Sequence, residues 1–168
     1  LSHSMTINIK GELIDLSQPK IMGILNLTPD SFYDGGKFNV EDQALLQTEK
    51  MIYEGAFFVD LGACSTQPGA EEISEQEEKK RLYPILEKLI ETFPEQYFSI
   101  DTYRSNVAAG CLNRGAVMIN DISGGQFDPN MMLTVGKHNA PYVLMHLLET
   151  PKDMQKNLNI YESLFFIY

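Results

Sequence analysis

The chain has 168 residues, 43% of them hydrophobic, with 13 Lys and Arg residues against 23 Asp and Glu residues. Its formal net charge of −10 repels phosphate backbones and anionic lipid surfaces, which disfavours nucleic acid and membrane partners. An anionic small molecule would have to be held locally, by a metal ion, a helix N-terminus or a few well-placed cations.

The cysteine content and the absence of long apolar runs indicate a cytoplasmic protein. Cys64 and Cys111 are far apart in sequence and lack the spacing of a disulfide framework or a zinc site. No run approaches the ~20 apolar residues of a membrane span. Residues 1–4 precede Met5 and are interpreted as a cloning remnant, so residues 5–168 are taken as one domain or part of one.

The first elements in chain order are a hairpin and a series of buried strands. Residues 6–16 alternate apolar and polar around Lys10 and Gly11, which predicts a short hairpin that covers one end of the domain. Five apolar runs follow, at residues 21–27, 57–61, 97–100, 116–119 and 142–145. Because these runs are continuous, they predict parallel strands that are buried on both faces.

Helices are predicted between the strands, with start and stop signals at Asn39, Gly55, Ser74, Glu77, Asp128, Pro129 and Lys137. Ser74 and Glu77 have the spacing of a capping box. Asp128 followed by Pro129 is typical of an N-cap and a first helical position. Pro84, inside the second predicted helix, is expected to kink that helix or divide it in two.

The five strand–helix repeats predict an α/β fold, and polar residues at the strand ends favour a barrel. The strands end at Asn26, Asp60, Asp101, Asn120 and His146. Side chains at all five C-terminal ends would surround one site in a (β/α)8 TIM barrel, whereas an open sheet uses mainly its switch point. A barrel needs ~200 to 250 residues, so the chain is expected to hold only about the first five βα units.

Two loops after the first strands carry candidate binding residues. In NLTPDSF, residues 26–32, the Asn26 amide oxygen is a candidate Mg2+ ligand, although a simple strand exit with a turn explains the motif about equally well. In DLGACSTQPG, residues 60–69, Asp60 would be costly to bury unpaired, and Thr66 and Gln67 could donate to a ligand. The alternative for this segment is an ordinary flexible loop.

The later strand ends suit a flat heterocycle such as a pterin. Asp101 and Asn120 could match the exocyclic amine, ring N–H and carbonyl of such a ring. Ile122 and Met145 would supply an apolar face. The alternative is that Asp101 simply pairs with Arg104, since strand-end carboxylates are often structural.

Several strings of residues together resemble dihydropteroate synthases, a family of pterin-binding TIM barrels. They are IMGILNLTPDSFYDGG, VDLGACSTQPGAEEIS, SIDTYRSNVA, INDISGG and YVLMH, in family order over roughly residues 6–157. The resemblance implies condensation of 6-hydroxymethyl-7,8-dihydropterin diphosphate with 4-aminobenzoate, giving 7,8-dihydropteroate and diphosphate in folate biosynthesis. It also implies Mg2+ as cofactor and an enzyme of the class that sulfonamides target, and it is compatible with a homodimer.

The same resemblance assigns roles to individual residues. It implies that Asn26 binds the metal and the diphosphate region, and that Asp101 and Asn120 hold the pterin between Ile122 and Met145. The loops at residues 28–37 and 62–70 would close over 4-aminobenzoate. No residue is expected to act as a covalent nucleophile.

Departures from the family pattern leave alternatives open. Gln67 stands where the family's STRPG loop has arginine, which removes a cation near the diphosphate. Nothing after Gln155 matches the aspartate, lysine and basic segment of the family's later strands, so an inactive N-terminal portion is expected. The alternatives are a pterin-dependent methyltransferase domain and a fragment that binds pterin without catalysis.

Overall fold

A computed structural model describes residues 5–27, 39–64 and 73–145. Its elements in chain order are β1 (Thr6–Ile9), β2 (Glu12–Asp15), β3 (Met22–Asn26), α1 (Val40–Tyr53), β4 (Phe58–Gly62), α2 (Glu75–Thr92), β5 (Tyr97–Asp101), α3 (Ser105–Asn113), β6 (Met118–Asp121), α4 (Met131–Lys137) and β7 (Tyr142–Leu144). Within these ranges, no helix combines the length and apolar character needed to cross a membrane.

The main sheet is parallel and follows the order β3-β4-β5-β6-β7. Each strand therefore pairs with the next strand in the chain, with a helix returning between them. This sequential order is the arrangement of a (β/α) barrel, since a doubly wound sheet reverses its strand order at a switch point. All five predicted strands and the predicted α/β class are confirmed, with boundaries shifted by one or two residues.

The pleat of the sheet separates an outer face, which packs on the helices, from an inner face. Leu25, Leu61, Ile100 and Ile119 are fully buried on the outer face. They form one apolar cluster with residues of α2 and α3, including Leu86. Because successive residues of a strand alternate sides, their neighbours along each strand point to the inner face.

The hairpin of β1 and β2 seals the inner face at the N-terminal end of the strands. Gly11, with φ +94°, permits the tight turn, and its N–H donates to Asn8 Oδ1 at 2.8 Å. Ile9 and Ile14 are buried in a second apolar cluster with Phe58, the first residue of β4. The predicted plug at one end of the domain is confirmed.

Two of the predicted helix starts are confirmed by their caps. Asn39 Oδ1 accepts the Asp42 N–H at 2.8 Å, and α1 is followed by Gly55 with φ +100°. Ser74 Oγ accepts the Glu77 N–H at 3.1 Å at the start of α2. These side chains satisfy amides that the first turn of a helix leaves without a partner.

Two helix predictions are wrong in part. Pro84 does not divide α2, which runs unbroken past an exposed Pro84. Asp128 does not cap the fourth helix, which begins only at Met131. One Asp128 carboxylate oxygen accepts the Asn130 N–H at 2.9 Å in the turn before α4, and the other accepts the Ser105 N–H at 2.7 Å at the start of α3. Arg104, the residue before α3, has no acceptor in its side chain, so α3 is capped by a residue from another part of the chain.

The prediction that every strand is buried on both faces is also wrong at the two edges of the sheet. In β3 the Ile24 side chain is 64% exposed, and in β7 Val143 and Leu144 are 38% and 55% exposed. The central strand β4 is buried along its whole length. An edge strand has a neighbour on one side only, so part of its apolar surface stays open.

Candidate functional site

The predicted site residues meet at the C-terminal ends of β3 to β6. Across the sheet, Asn26 pairs with Gly62, Gly62 with Asp101, and Asp101 with Asn120. Residues paired in register lie on the same face, and Asp60 lies on that face two residues before Gly62. The prediction that the four polar residues lie at one end of a parallel sheet is confirmed, and they also share one face. That they surround one pocket and bind a ligand stays a prediction.

Gly62 is a site residue that the sequence analysis missed. A Cβ atom at Gly62 would lie 3.3 Å from Asp101 Oδ2 and 3.7 Å from Asn26 Oδ1. The missing side chain therefore leaves a small space between two predicted binding residues. A glycine that directly follows the Asp60-Leu61 strand end is the signal that could have revealed it.

Asp60 and Asn120 form a polar pair inside the sheet. Asn120 Nδ2 donates to Asp60 Oδ2 at 2.8 Å, and Asp60 is only 4% exposed. Among the described residues, Asp60 Oδ1, Asn120 Oδ1 and Ser99 Oγ are buried without a hydrogen-bond partner. Burial raises the pKa of Asp60, and the nearby Ser99 and Asn120 side chains lower it by smaller amounts.

Asp101 lies beside this pair, and no described cation forms an ion pair with it. Burial raises the pKa of Asp101 to about 7, with further contributions from the carboxylates of Asp60, Glu78 and Asp121. The alternative prediction of an ion pair with Arg104 is wrong, because Arg104 pairs with Glu78. Asp101 is therefore a carboxyl group that can change charge near neutral pH and that could accept hydrogen bonds from a ligand.

A buried ionic cluster supports the strand end that carries Asp101. Arg104 pairs with Glu78 and also donates from Nη2 to the Ile73 carbonyl oxygen at 2.7 Å. Thr102 Oγ1 donates to Glu78 Oε1 at 2.7 Å. The cluster joins the end of β5 to the start of α2. Glu78 falls on the apolar stripe of α2, which is the sequence signal for its burial.

The two cysteines lie in surroundings that favour the neutral thiol. Arg104 Nη1 lies 3.6 Å from Cys64 Sγ. Burial and the neighbouring Glu78 raise the pKa of the Cys64 thiol to about 12, and burial raises that of Cys111 to about 12. Both thiols therefore favour the protonated form at neutral pH.

Asp121, next to Asn120, has a structural role. It is fully buried on the helix side of the sheet, where its carboxylate accepts the Ser123 N–H and hydroxyl, both at 2.8 Å. It also accepts the Gly125 N–H at 3.0 Å and the Tyr142 hydroxyl at 2.7 Å. These bonds fix the turn after β6 and tie it to β7.

This turn brings the two predicted apolar residues to the same region. Ile122 is half-buried in the turn, and Met145, at the end of β7, is 42% exposed. Gly124, with φ +57°, sits so close to the Met145 carbonyl oxygen that a side chain there would collide with it. Thr66, Gln67, His146 and the segment 28–37 lie outside the described residues.

The oxygen atoms near Gly62 would suit a metal ion that takes most of its ligands from water and substrate. In the described ranges, no group of three or more His, Cys, Asp or Glu side chains could hold a metal ion. The Asn26 amide oxygen and Asp101 Oδ2, on either side of the space at Gly62, are hard oxygen donors. Mg2+ suits such a site because it keeps several waters and takes other ligands from substrate phosphates.

Comparison with known proteins places these residues in context. Residues 22–165 match the family described as pterin binding enzyme. The chain is 47% identical over 131 residues to a dihydropteroate synthase of Staphylococcus haemolyticus, covering 78% of this chain and 48% of that protein.

Solved structures agree with this match. The Yersinia pestis dihydropteroate synthase, solved with a sulfonamide drug, has a TM-score of 0.82 at 42% identity, covering 95% of this chain and 57% of that one. The Xanthomonas albilineans enzyme, solved with 4-aminobenzoic acid, has a TM-score of 0.80 at 34% identity, covering 87% and 53%. The chain thus spans about half the length of these relatives.

Proposed function

Since the chain belongs to the pterin-binding enzyme family, we propose that it forms part of a dihydropteroate synthase. The reaction joins 6-hydroxymethyl-7,8-dihydropterin diphosphate to 4-aminobenzoate and releases diphosphate. The arylamine nitrogen attacks the pterin methylene carbon, the bond from that carbon to the diphosphate oxygen breaks, and the amine loses a proton. The residues that carry the proposal lie in the half of the enzyme that this chain represents.

One observation carries the proposal: at the C-terminal ends of the strands, buried hydrogen-bond acceptors have no partner among the residues that the structure describes. Asn120 Oδ1 has no partner among the described residues, and no cation pairs there with Asp101. Leaving a buried polar group unpaired costs ~1 to 3 kcal/mol. A ligand edge with several N–H donors, such as the pyrimidine edge of a pterin, would satisfy these groups.

The proposed mechanism is electrostatic. Asp101 and Asn120 hold the pterin in one orientation, with Ile122 and Met145 against its faces, so that the methylene carbon is presented to the amine. Asn26 is the proposed protein ligand of Mg2+. When bound, Mg2+ would neutralise charge on the departing diphosphate. Exclusion of water protects the cationic pterin that develops as the diphosphate leaves.

The second substrate and the cellular setting complete the proposal. Thr66 and Gln67 are proposed to contact 4-aminobenzoate or the diphosphate. By analogy with the sulfonamide complex of the Yersinia pestis enzyme, sulfonamides are expected to occupy the 4-aminobenzoate position. A cytoplasmic location and a homodimer are part of the same proposal.

The test uses the complete protein that contains this chain. Purified protein is incubated with dihydropterin diphosphate, 4-aminobenzoate and Mg2+, and dihydropteroate is measured. We expect product formation that falls at least about tenfold in Asp101→Asn, because the amide offers one acceptor where the carboxylate offers two. Gly136→Ala, a change in open space on α4, is the matched control. Pterin binding without product would contradict the synthase assignment.

A further inference from the structure

The two ends of the Asn120 amide have different surroundings. Nδ2 donates to Asp60 Oδ2 at 2.8 Å. Oδ1 is buried and has no partner in the described part of the chain. An ionised carboxylate can accept but cannot donate, so Asp60 attracts the NH2 end of the amide and repels the oxygen end. The orientation of Asn120 is therefore set by its neighbour on β4.

We infer that Asp60 is a positioning residue for ligand recognition, because it holds Asn120 with its oxygen free to accept a hydrogen bond from the ligand. This inference rests on the proposed pterin site. Asp101, paired in register with Asn120, offers a second acceptor on the same face. The strand ends then favour a ligand edge made of donors, such as the 2-amino group and N3–H of a pterin. They disfavour the 2-oxo analogue, which has an acceptor in place of the amine.

A purely structural role for Asp60 does not explain why Asn120 Oδ1 has no hydrogen-bond partner among the described residues. Asp60 itself is 4% exposed and has Ser99 and Asn120 as polar neighbours. If Asp60 and Asn120 served only the fold, we would expect every polar atom of the two side chains to be hydrogen-bonded, or apolar residues to stand in their place. Half-satisfied polar groups are costly in a core. Here the Asn120 oxygen without a described partner belongs to the residue paired in register with Asp101, so one ligand edge would satisfy both acceptors.

The first experiment measures ligand preference in the complete protein. Binding of 6-hydroxymethylpterin and of its 2-oxo analogue is measured by calorimetry for the unaltered protein and for Asp60→Asn. In the variant the two amides can turn over together, and Asn120 can then present its NH2 group. We expect the preference for the pterin to fall about tenfold, the size of one mismatched buried hydrogen bond.

A control and a rescue distinguish this role from a general effect on folding. Gly136→Ala, a change on α4 where nothing lies within 4 Å, should leave the preference unchanged. The exchanged pair, Asp60→Asn with Asn120→Asp, should restore the preference, because a carboxylate at position 120 can only accept. If Asp60→Asn does not fold, the exchanged pair alone decides.

An unchanged preference in Asp60→Asn, or a folded exchanged pair without preference for the pterin, would overturn the role of Asp60. A lower melting temperature with the preference intact would count as the same negative result. Failure of the unaltered protein to bind either ligand would overturn the proposed function, and this inference with it. The two failures are therefore distinguishable.

Discussion

At the scale of single residues, the protonation of Asp101 should control pterin affinity. Its pKa in the free protein is raised to about 7 by burial and by neighbouring carboxylates. Below that pH the carboxyl group is protonated and loses acceptor capacity. Donors from a bound pterin favour the ionised form, so binding should strengthen as pH rises toward 7 and level off above it.

Calorimetric titration of the complete protein with pterin between about pH 5.5 and pH 7.5 checks this, with affinity rising up to about tenfold per pH unit. Asp101→Asn should bind more weakly and without the pH dependence. The same rise in the pKa of Asp101 also makes the stability of the fold depend on pH. Because the folded-state pKa is above the unfolded value, the contribution of Asp101 is most favourable below about pH 4 and is lost as pH rises through about 7.

Gly62 gives a second prediction at this scale. An alanine Cβ would stand 3.4 Å from the Asp101 Cβ and 3.3 Å from its Oδ2, so Asp101 would have to move by a few tenths of an ångström. Gly62→Ala should weaken pterin binding about tenfold, since small displacements in a binding site carry large costs. Gly136→Ala, where nothing lies within 4 Å, should leave binding unchanged. Equal affinity for both variants in calorimetry would contradict the proposed place of Gly62.

Residue types at strand ends could be predicted from the sequence, whereas their partners could not. Asn26, Asp60, Asp101 and Asn120 stand out because each is polar at the end of an apolar run. The space at Gly62 depends on the register of three strands, which local pattern does not encode. The Asp60–Asn120 hydrogen bond joins two strands that are not adjacent, so it follows only from the curvature of the sheet.

At the scale of elements, the Arg104–Glu78 pair should contribute strongly to stability. The Glu78 side chain is 1% exposed and that of Arg104 is 15% exposed. Arg104→Met would leave a buried carboxylate without its cation, which should cost about 3 kcal/mol of unfolding free energy. Urea unfolding of the complete protein measures this. Adding Glu78→Met should recover most of the loss, because the pair would be replaced by apolar groups.

Helices and strands could be predicted where neighbouring residues determine them, and the predictions failed where distant parts of the chain determine them. The hairpin, the five strands and the caps at Asn39 and Ser74 follow from periodicity and from adjacent residues. The Asp128 prediction failed in part, because one carboxylate oxygen binds in the turn before α4 while the other caps a helix that begins 23 residues earlier in the chain. Exposure of Ile24 and Val143 is not encoded in the local pattern of either strand. It follows from the number of βα units, because five units leave a sheet with two edges.

At the scale of the whole molecule, the open sheet predicts self-association of the isolated chain. The edge strands expose Ile24, Val143 and Leu144, and unpaired strand edges with apolar side chains favour pairing between chains. The 168-residue chain, expressed alone, should elute as oligomers or aggregates by size exclusion with light scattering, and it should make no dihydropteroate. A monodisperse, active monomer would contradict this prediction.

The sequential order of the strands also has a consequence for synthesis on the ribosome. Each parallel strand pairs with the strand made just before it, and the hairpin that covers the N-terminal end of the sheet is translated first. No described strand must wait for a later one to be inserted between it and its neighbour. The polypeptide can therefore gain structure one βα unit at a time as it emerges, which shortens the time that apolar segments spend exposed.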